Sequence, residues 1–534
     1  MRLRTALTAA ATAVCLLAAT AAPAAASSAT DDPRAGGATL TRADRAHLQR
    51  YARDTWRSFA AMTDEITGLP ADNIQGDLSV ATRSGYTSPT NIGAYLWSTV
   101  VAEELDLISS REAKKRLNRT LTTLATMERH EPSGMFYNWY DEATGAKLTA
   151  FPGSGDRIDP FLSSVDNGWF AAALMVVRTA EPTLRAKADA VLDGMDFGAF
   201  YDLNQFGGTR PGMVFGGFWV DKPTQDARAG TLANGAPVFF TNHHYDILNS
   251  EPRIVTYIGI ARGQIPPEAY FATSRTFPAS CDWSWLETRP VGVTKNYLGI
   301  DVFEGAFPYR GMNIVPTWGG TMFEELMPDL FVPESAWGTM SWAINHPLAV
   351  RAQIEHGMDQ AGYGYWGFSP ASNPFGGYRE YGVDEIGMNP DGYSSDNERT
   401  NVDKGYDGCR AATNPAPGQP EPTFGDGVVT PHAAFLALPY APREAMDNLR
   451  GMKTTLKAYG RGGFYDSVAT RSGTIADRYL SLDQGIVLGA LGNVLGEDML
   501  RTAFSTGAVE ATVRPLLAME EFGAGYADGR PVTP

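Results

Sequence analysis

Apolar residues recur at spacings of three and four through most of the chain, the period of a helix with one buried face. Across 43–63, Leu48, Tyr51, Thr55, Phe59 and Met62 fall on one side. Pro89 and Thr90 open a second run through Ile92, Tyr95, Leu96, Val100 and Leu105. Ser110 caps a third, with Ala113, Leu117, Leu121 and Leu124 inward. The same period predicts helices over 166–180, 182–195, 245–261, 341–355, 432–438, 442–459, 482–494, 496–504 and 509–519. Alternation of period two is confined to 213–220 and 236–240, a candidate hairpin. About a dozen helices and few strands predict an all-α fold. A single domain of this kind closes most naturally as an (α/α)6 barrel, six helices inside and six outside. Its long loops, rich in Gly, Pro, Asn and aromatics, then crowd one end.

The ends of the chain read differently. Residues 1–26 pair Arg2 and Arg4 with an apolar middle and the small-residue site Ala24-Ala25-Ala26, a secretory leader cleaved near Ala26. Residues 27–40 form a disordered stub, and 41–534 read as one domain because no linker divides them. The leader takes two of the 44 basic residues and no acid, so the net charge deepens from −16 to −18. An acidic surface argues against nucleic acid or anionic membrane as partners and fits a secreted monomer acting on a neutral substrate. Cys281 and Cys409 remain after cleavage and are expected to form a disulfide in an oxidising compartment. With no CxxC and no HExxH, no metal is expected. GYGYWG at 362–367 matches a dinucleotide fingerprint literally but runs on into SPASNP, where a helix is required, so no cofactor is expected.

Candidate chemistry lies in the loops. Trp139, Tyr140, Trp169, Trp283, Trp285, Trp318, Trp366 and Tyr378 sit among glycines and acids, and aromatic faces suit the C–H side of a sugar; any of them also suits a core. Acids are plentiful nearby: Asp141, Asp166, Glu251, Glu304, Glu324, Glu325, Asp384, Asp466 and Asp483. Asp166 and Asp483 open helices and also suit simple caps. No GxSxG is present, so paired-carboxylate chemistry is favoured over a nucleophilic triad. HYDILNSEPR at 244–253 places Glu251 beside Arg253 at the mouth of an apolar helical run. A carboxyl desolvated there holds its proton toward neutral pH and can serve a glycosidic oxygen. The alternative is an ordinary ion pair between Glu251 and Arg253.

Taken in order, TSPTNIG at 87–93, FYNWYD at 136–141, SSVDNG at 163–168, YDILNSEPR at 245–253, WGGTMFE at 318–324, LMP at 326–328, WGFS at 366–369, TPHA at 430–433, GFYDS at 463–467 and DQG at 483–485 resemble the glucoamylase-like family of bacterial endo-β-1,2-glucanases and cyclic β-1,2-glucan synthase C-terminal domains. The resemblance implies an (α/α)6 barrel and a glycoside hydrolase acting on β-1,2-glucan or a related polysaccharide. It makes Glu251 the general acid and leaves Asp166, Asp466 and Asp483 as candidates for the base. Glu324, Asp141 and Arg253 are expected to hold sugar hydroxyls, and the aromatics Trp139, Tyr140, Trp318, Trp366 and Tyr378 to stack on sugar rings. Pro370 stands where the synthase branch has a second glutamate, which points to an inverting hydrolase. The segment 206–240 departs from the family pattern. The competing class is a carbohydrate-binding barrel without catalysis.

Overall fold

Thr41 starts the first helix, Arg42–Met62: its hydroxyl accepts the Asp44 amide while the Asp44 carboxylate accepts the Thr41 amide. Leu48, Tyr51, Thr55, Phe59 and Met62 are buried on one face, as their spacing predicts. The computed structural model describes residues 40–277, 288–388 and 424–532. The expected leader at residues 1–26 and Cys281, Cys409, Trp283 and Trp285 lie outside these.

Two kinds of helix follow. Ser110–Leu124 and Pro442–Thr454 are amphipathic, with one buried stripe each. Pro89–Glu104 is buried at 14 of its 16 residues, and Ser481–Leu495 at 12 of 15, so these helices lie inside a second layer. The inner helices are neighbours in a row. Pro89–Glu104 packs on Ser164–Ala180 and on Ser481–Leu495; beyond them come Arg253–Ala261 on one side and Pro431–Leu436 on the other. Met322–Leu326 packs on Pro431–Leu436 and hydrogen-bonds Arg253, closing the row. Amphipathic helices cover them from outside: Arg42–Met62 on Ser481–Leu495, Ser110–Leu124 on Pro89–Glu104, Arg185–Leu192 on Ser164–Ala180, Pro442–Thr454 on Pro431–Leu436. Close approach depends on glycine. A Cβ on Gly93 would stand 3.1 Å from the Trp169 carbonyl, and one on Gly168 would stand 2.7 Å from Val255 Cγ2.

The all-α expectation needs correction. Val291–Tyr297, Ile300–Tyr309, Met312–Ile314 and Gly525–Tyr526 form a four-stranded antiparallel sheet, with Val291 opposite Ala306. Residues 304–307 of its long strand are buried in succession, which erases the alternation that marks a strand in sequence. The two runs pair, but not as the expected hairpin: Gly217–Trp219 lies along one edge of Pro237–Phe240, while Arg228–Thr231, which comes between them in the chain, lies along the other, in a sheet completed by Phe161–Ser163. The helix expected over 245–261 begins only at Arg253, because His244 and Tyr245 pair with Phe215 and Val214.

Short strands run directly into inner helices. Phe161–Ser163 leads into Ser164–Ala180, Arg478–Leu480 into Ser481–Leu495, and Val428–Val429 toward Pro431–Leu436. The strand Asn73–Gln75 pairs with Arg478–Leu480, setting Asn73 opposite Leu480. Asp166, Glu324 and Asp483 each occupy the first turn of an inner helix, where free amides favour negative charge.

Candidate active site

Glu251 stands in the turn just before Arg253–Ala261, at the wall of a cleft of about 870 Å³. The Trp169 indole donates to Glu251 Oε2 at 2.6 Å, and the Glu251 amide donates to Glu324 Oε2 at 2.6 Å. Desolvation and the neighbouring Glu324 charge push the Glu251 carboxyl well above its ordinary range, while the indole and Arg253 oppose them. Desolvation likewise raises Glu324 to about 7, against the amide of Glu251. Two adjoining acids in one desolvated site cannot both ionise at neutral pH, so the pair retains a proton. Tyr245 faces the same field: desolvation and the charges of Glu251, Asp166 and Glu324 keep its phenol protonated. Asp166, at the third position of its helix, accepts the Thr90 hydroxyl at 2.6 Å.

A second acid pair is Asp466 and Asp483, both buried. Desolvation and then the Asp466 charge hold Asp483 well above the usual carboxylate range. Asp466 is raised by desolvation but is held down by the Asp483 proton and by the Ser372 amide, which donates to Oδ2 at 2.6 Å. The pair shares a proton, and the Ser372 amide favours the ionised form of Asp466. His432 Nδ1 lies 3.7 Å from Asp483 Oδ1, yet desolvation lowers the imidazole to about 3 and leaves it neutral. Asp72, held by Asn91 at 2.8 Å and raised by desolvation, adds to this field. Tyr378 connects the two pairs: desolvation and the charges of Asp483, Asp466, Glu380 and Glu251 raise its hydroxyl. It sits on the hairpin formed by Ala371–Ser372 and Tyr378–Arg379, with its ring exposed. Ser467 donates its hydroxyl to the Ser372 carbonyl, so the hairpin is anchored beside Asp466.

Behind Glu251 lies a buried ionic network. Arg253 donates to the carbonyls of Ser250 (3.0 Å), Glu324 (2.7 Å) and Glu325 (2.6 Å), and its Nε and Nη2 bind Glu334 at 2.7 and 2.8 Å. His346 contacts Glu325 through Nδ1 at 2.6 Å and Glu334 through Nε2 at 3.2 Å. Desolvation would lower His346, but these carboxylates raise it to about 9, so both ring nitrogens donate. Asp329, Glu334 and His346 converge at metal-ligand spacing. A protonated imidazole ligates nothing, however, and Glu334 is already occupied by Arg253.

The glycoamylase family model matches residues 293–507, and a second, DUF3131, described as a protein of unknown function, matches 50–210. The cyclic β-(1,2)-glucan synthase NdvB of Rhizobium meliloti is 26% identical over 88% of this chain. Over residues 293–507 the chain is similar to the glucoamylase-like family. It spans 18% of the length of that synthase. In three dimensions it resembles the Chitinophaga pinensis endo-β-1,2-glucanase in complex with sophorotriose and glucose: TM-score 0.58, 16% identity, 88% of this chain and 98% of that one. The β-1,2-glucanase of Parabacteroides distasonis gives TM-score 0.61 at 14% identity, covering 91% of this chain and 61% of that one.

The residues singled out from sequence separate into two groups. Glu251, Glu324 and Trp318 line the cleft. Asp466 and Asp483 form the second pair, and Asp166, on its own helix, faces Glu251. Trp139 lies edge-on to Tyr86 at 5.3 Å and to Phe151 at 5.4 Å, and Tyr86 in turn feels Asp72. Others are removed from sugar contact. Tyr140 (0% exposed), Trp366 (2%) and Arg253 (4%) are core residues, and the Tyr140 hydroxyl is spent on the Glu128 carbonyl. Asp141 closes its own turn by accepting the Thr144 amide and hydroxyl, both at 2.8 Å. Trp169, expected as a stacking surface, instead donates to Glu251. The simple Glu251–Arg253 ion pair is replaced by Arg253–Glu334. Ser372, His432 and Asp72 escape sequence reasoning. Ser372 acts through its amide and hydroxyl, His432 gains meaning from Asp483 on the neighbouring inner helix, and Asp72 from the pairing of Asn73 with the distant Leu480.

Proposed function

We propose that the protein is a secreted, inverting glycoside hydrolase cleaving β-1,2-glucan, built on an (α/α)6 barrel whose inner ring is the row of buried helices. The observation that carries this is Glu251: a carboxyl that keeps its proton, oriented by the Trp169 indole, on the wall of a cleft large enough for several sugar units. The β-1,2-glucan relatives supply the substrate class. Glu251 delivers its proton to the leaving glycosidic oxygen. Asp466, kept anionic by the Ser372 amide and the Asp483 proton, is the base that draws a proton from water, directly or through a sugar hydroxyl. Asp166 is the alternative base, since it also faces Glu251. Tyr378 and Trp318 offer rings to the sugar.

Incubation of purified protein with linear β-1,2-glucan should release reducing ends, with the α-anomer appearing first in early NMR spectra. Glu251→Gln, nearly isosteric, should lower turnover by about 10²–10⁴-fold with folding intact. A variant within a fewfold of wild type removes Glu251 from the mechanism, and a first-formed β-anomer overturns inversion. Tight binding of the glucan without any products favours the non-catalytic barrel.

A further inference from the structure

A second cavity, of about 370 Å³, lies beside the cleft, and the two have one lining residue in common, Arg210. On the cleft side Arg210 stands with Phe206 and His243; on the other it meets Thr209, Glu268, Leu298, Ile300 and Asp301. The guanidinium carbon lies 3.6 Å from the centre of the Phe206 ring. Among the described residues this ring contact is its only recorded interaction: it has neither ion pair nor hydrogen bond. Stacking covers one face of the guanidinium and leaves its in-plane N–H groups free, a planar fork of donors. Arg210 is exposed, so its free donors face the open space that the two cavities share, and partial desolvation lowers its pKa from the ordinary arginine value.

We propose that the cleft and the side cavity form one track for a polysaccharide chain, and that Arg210 is its crossing point, gripping a sugar unit remote from the scissile bond. The ligand chemistry follows from the lining. Vicinal hydroxyls of a sugar offer two acceptors side by side, which suits the guanidinium edge. Leu298 and Ile300 suit the C–H face, and Asp301 and Glu268 accept hydroxyl donors. Asp301 is fixed for this by the Asn296 amide at 2.7 Å. Two cavities sharing a wall residue suit a polymer rather than a disaccharide. The inference rests on the glycoside hydrolase reading and adds a remote subsite to it.

The test is a length series of linear β-1,2-glucooligosaccharides plus the polymer, with wild type, Arg210→Ala and Arg210→Lys. A hydrogen-bonding charged group is worth about 1.5–3 kcal/mol, so Arg210→Ala should raise KM for long chains by about tenfold or more. Its kcat should stay within about twofold, and the effect should fade for the shortest cleaved oligomers. Arg210→Lys keeps charge but not the fork, and should recover only part of the loss. Calorimetric binding of the longest oligomer to Glu251→Gln, with and without Arg210→Ala, should show the same ratio in Kd. An unchanged KM, or a rise equal at every chain length, overturns the track. Wild type that neither cleaves nor binds any glucan overturns the hydrolase reading itself, and the track with it.

Discussion

Replacing Arg253 with Met tests how the acid pair is held. The guanidinium joins the Ser250 carbonyl, next to Glu251, to the carbonyls of Glu324 and Glu325. It also neutralises Glu334, which desolvation would raise but which Arg253 and His346 hold at about 2. Methionine matches part of the volume but leaves Glu334 buried against a single cation and three carbonyls without their donor. Breaking one partner of a buried pair costs about 3–5 kcal/mol, and the carbonyls bring the total to about 5 kcal/mol or more. Unfolding entropy of about 2.1 cal/mol/K per residue gives roughly 1 kcal/mol/K for this length, so Tm should fall by about 5 °C. Calorimetry at neutral pH, backed by a urea midpoint, reads this directly. Because much of the loss is an unmatched charge, adding Glu334→Leu should recover part of it. A single variant within about 1 °C of wild type, or a double variant no better than the single, refutes the reasoning.

Further outcomes follow from the same geometry. His346, raised to about 9, contributes stability that is complete below about pH 6.5 and is lost as pH climbs through 9. His346→Gln should flatten that decline in urea midpoints measured from pH 6 to 10, and an unchanged slope would assign the decline elsewhere. Trp169→Phe removes a donor that favours ionised Glu251, so the alkaline limb of the pH–rate profile should move to higher pH. A downward move would mean that the indole supports the neutral acid instead. Asp466→Asn should abolish turnover while Asp483→Asn, which mimics the protonated partner, retains part of it; the reverse order would exchange their roles. Titration of the unfolded, unreduced mature chain should find no free thiol if Cys281 and Cys409 are paired, whereas two thiols exclude the pairing.

Much of the helical framework was legible because amphipathic helices announce themselves locally. Arg42–Met62 and Ser110–Leu124 match their periodicity to within a residue or two. The sheets were less visible. Within Ile300–Tyr309, residues 304–307 are buried in succession, and His244–Tyr245 becomes a strand only because Val214–Phe215 is there to pair with it. The acids could be named from motifs, but their pairings could not. Glu251 and Glu324 are 73 residues apart, and Trp169 is 82 residues from the carboxylate it orients. Burial of Tyr140 and Trp366 had no local signature either, since aromatics beside glycines suit a core as well as a sugar.

The contact between Ser372 and Asp466 has a consequence for how this cleft can diverge. The peptide amide is one donor, and the buried Ser372 hydroxyl is a second that also favours the Asp466 carboxylate. The exposed tip, with Phe375 and Tyr378, is free to drift or to be exchanged by grafting for new substrate preferences. One substitution stands outside that freedom: a proline at 372 has no N–H to give. Libraries that randomise this hairpin should therefore vary freely at the exposed tip, favour small hydroxyl residues at the buried position 372, and exclude proline there.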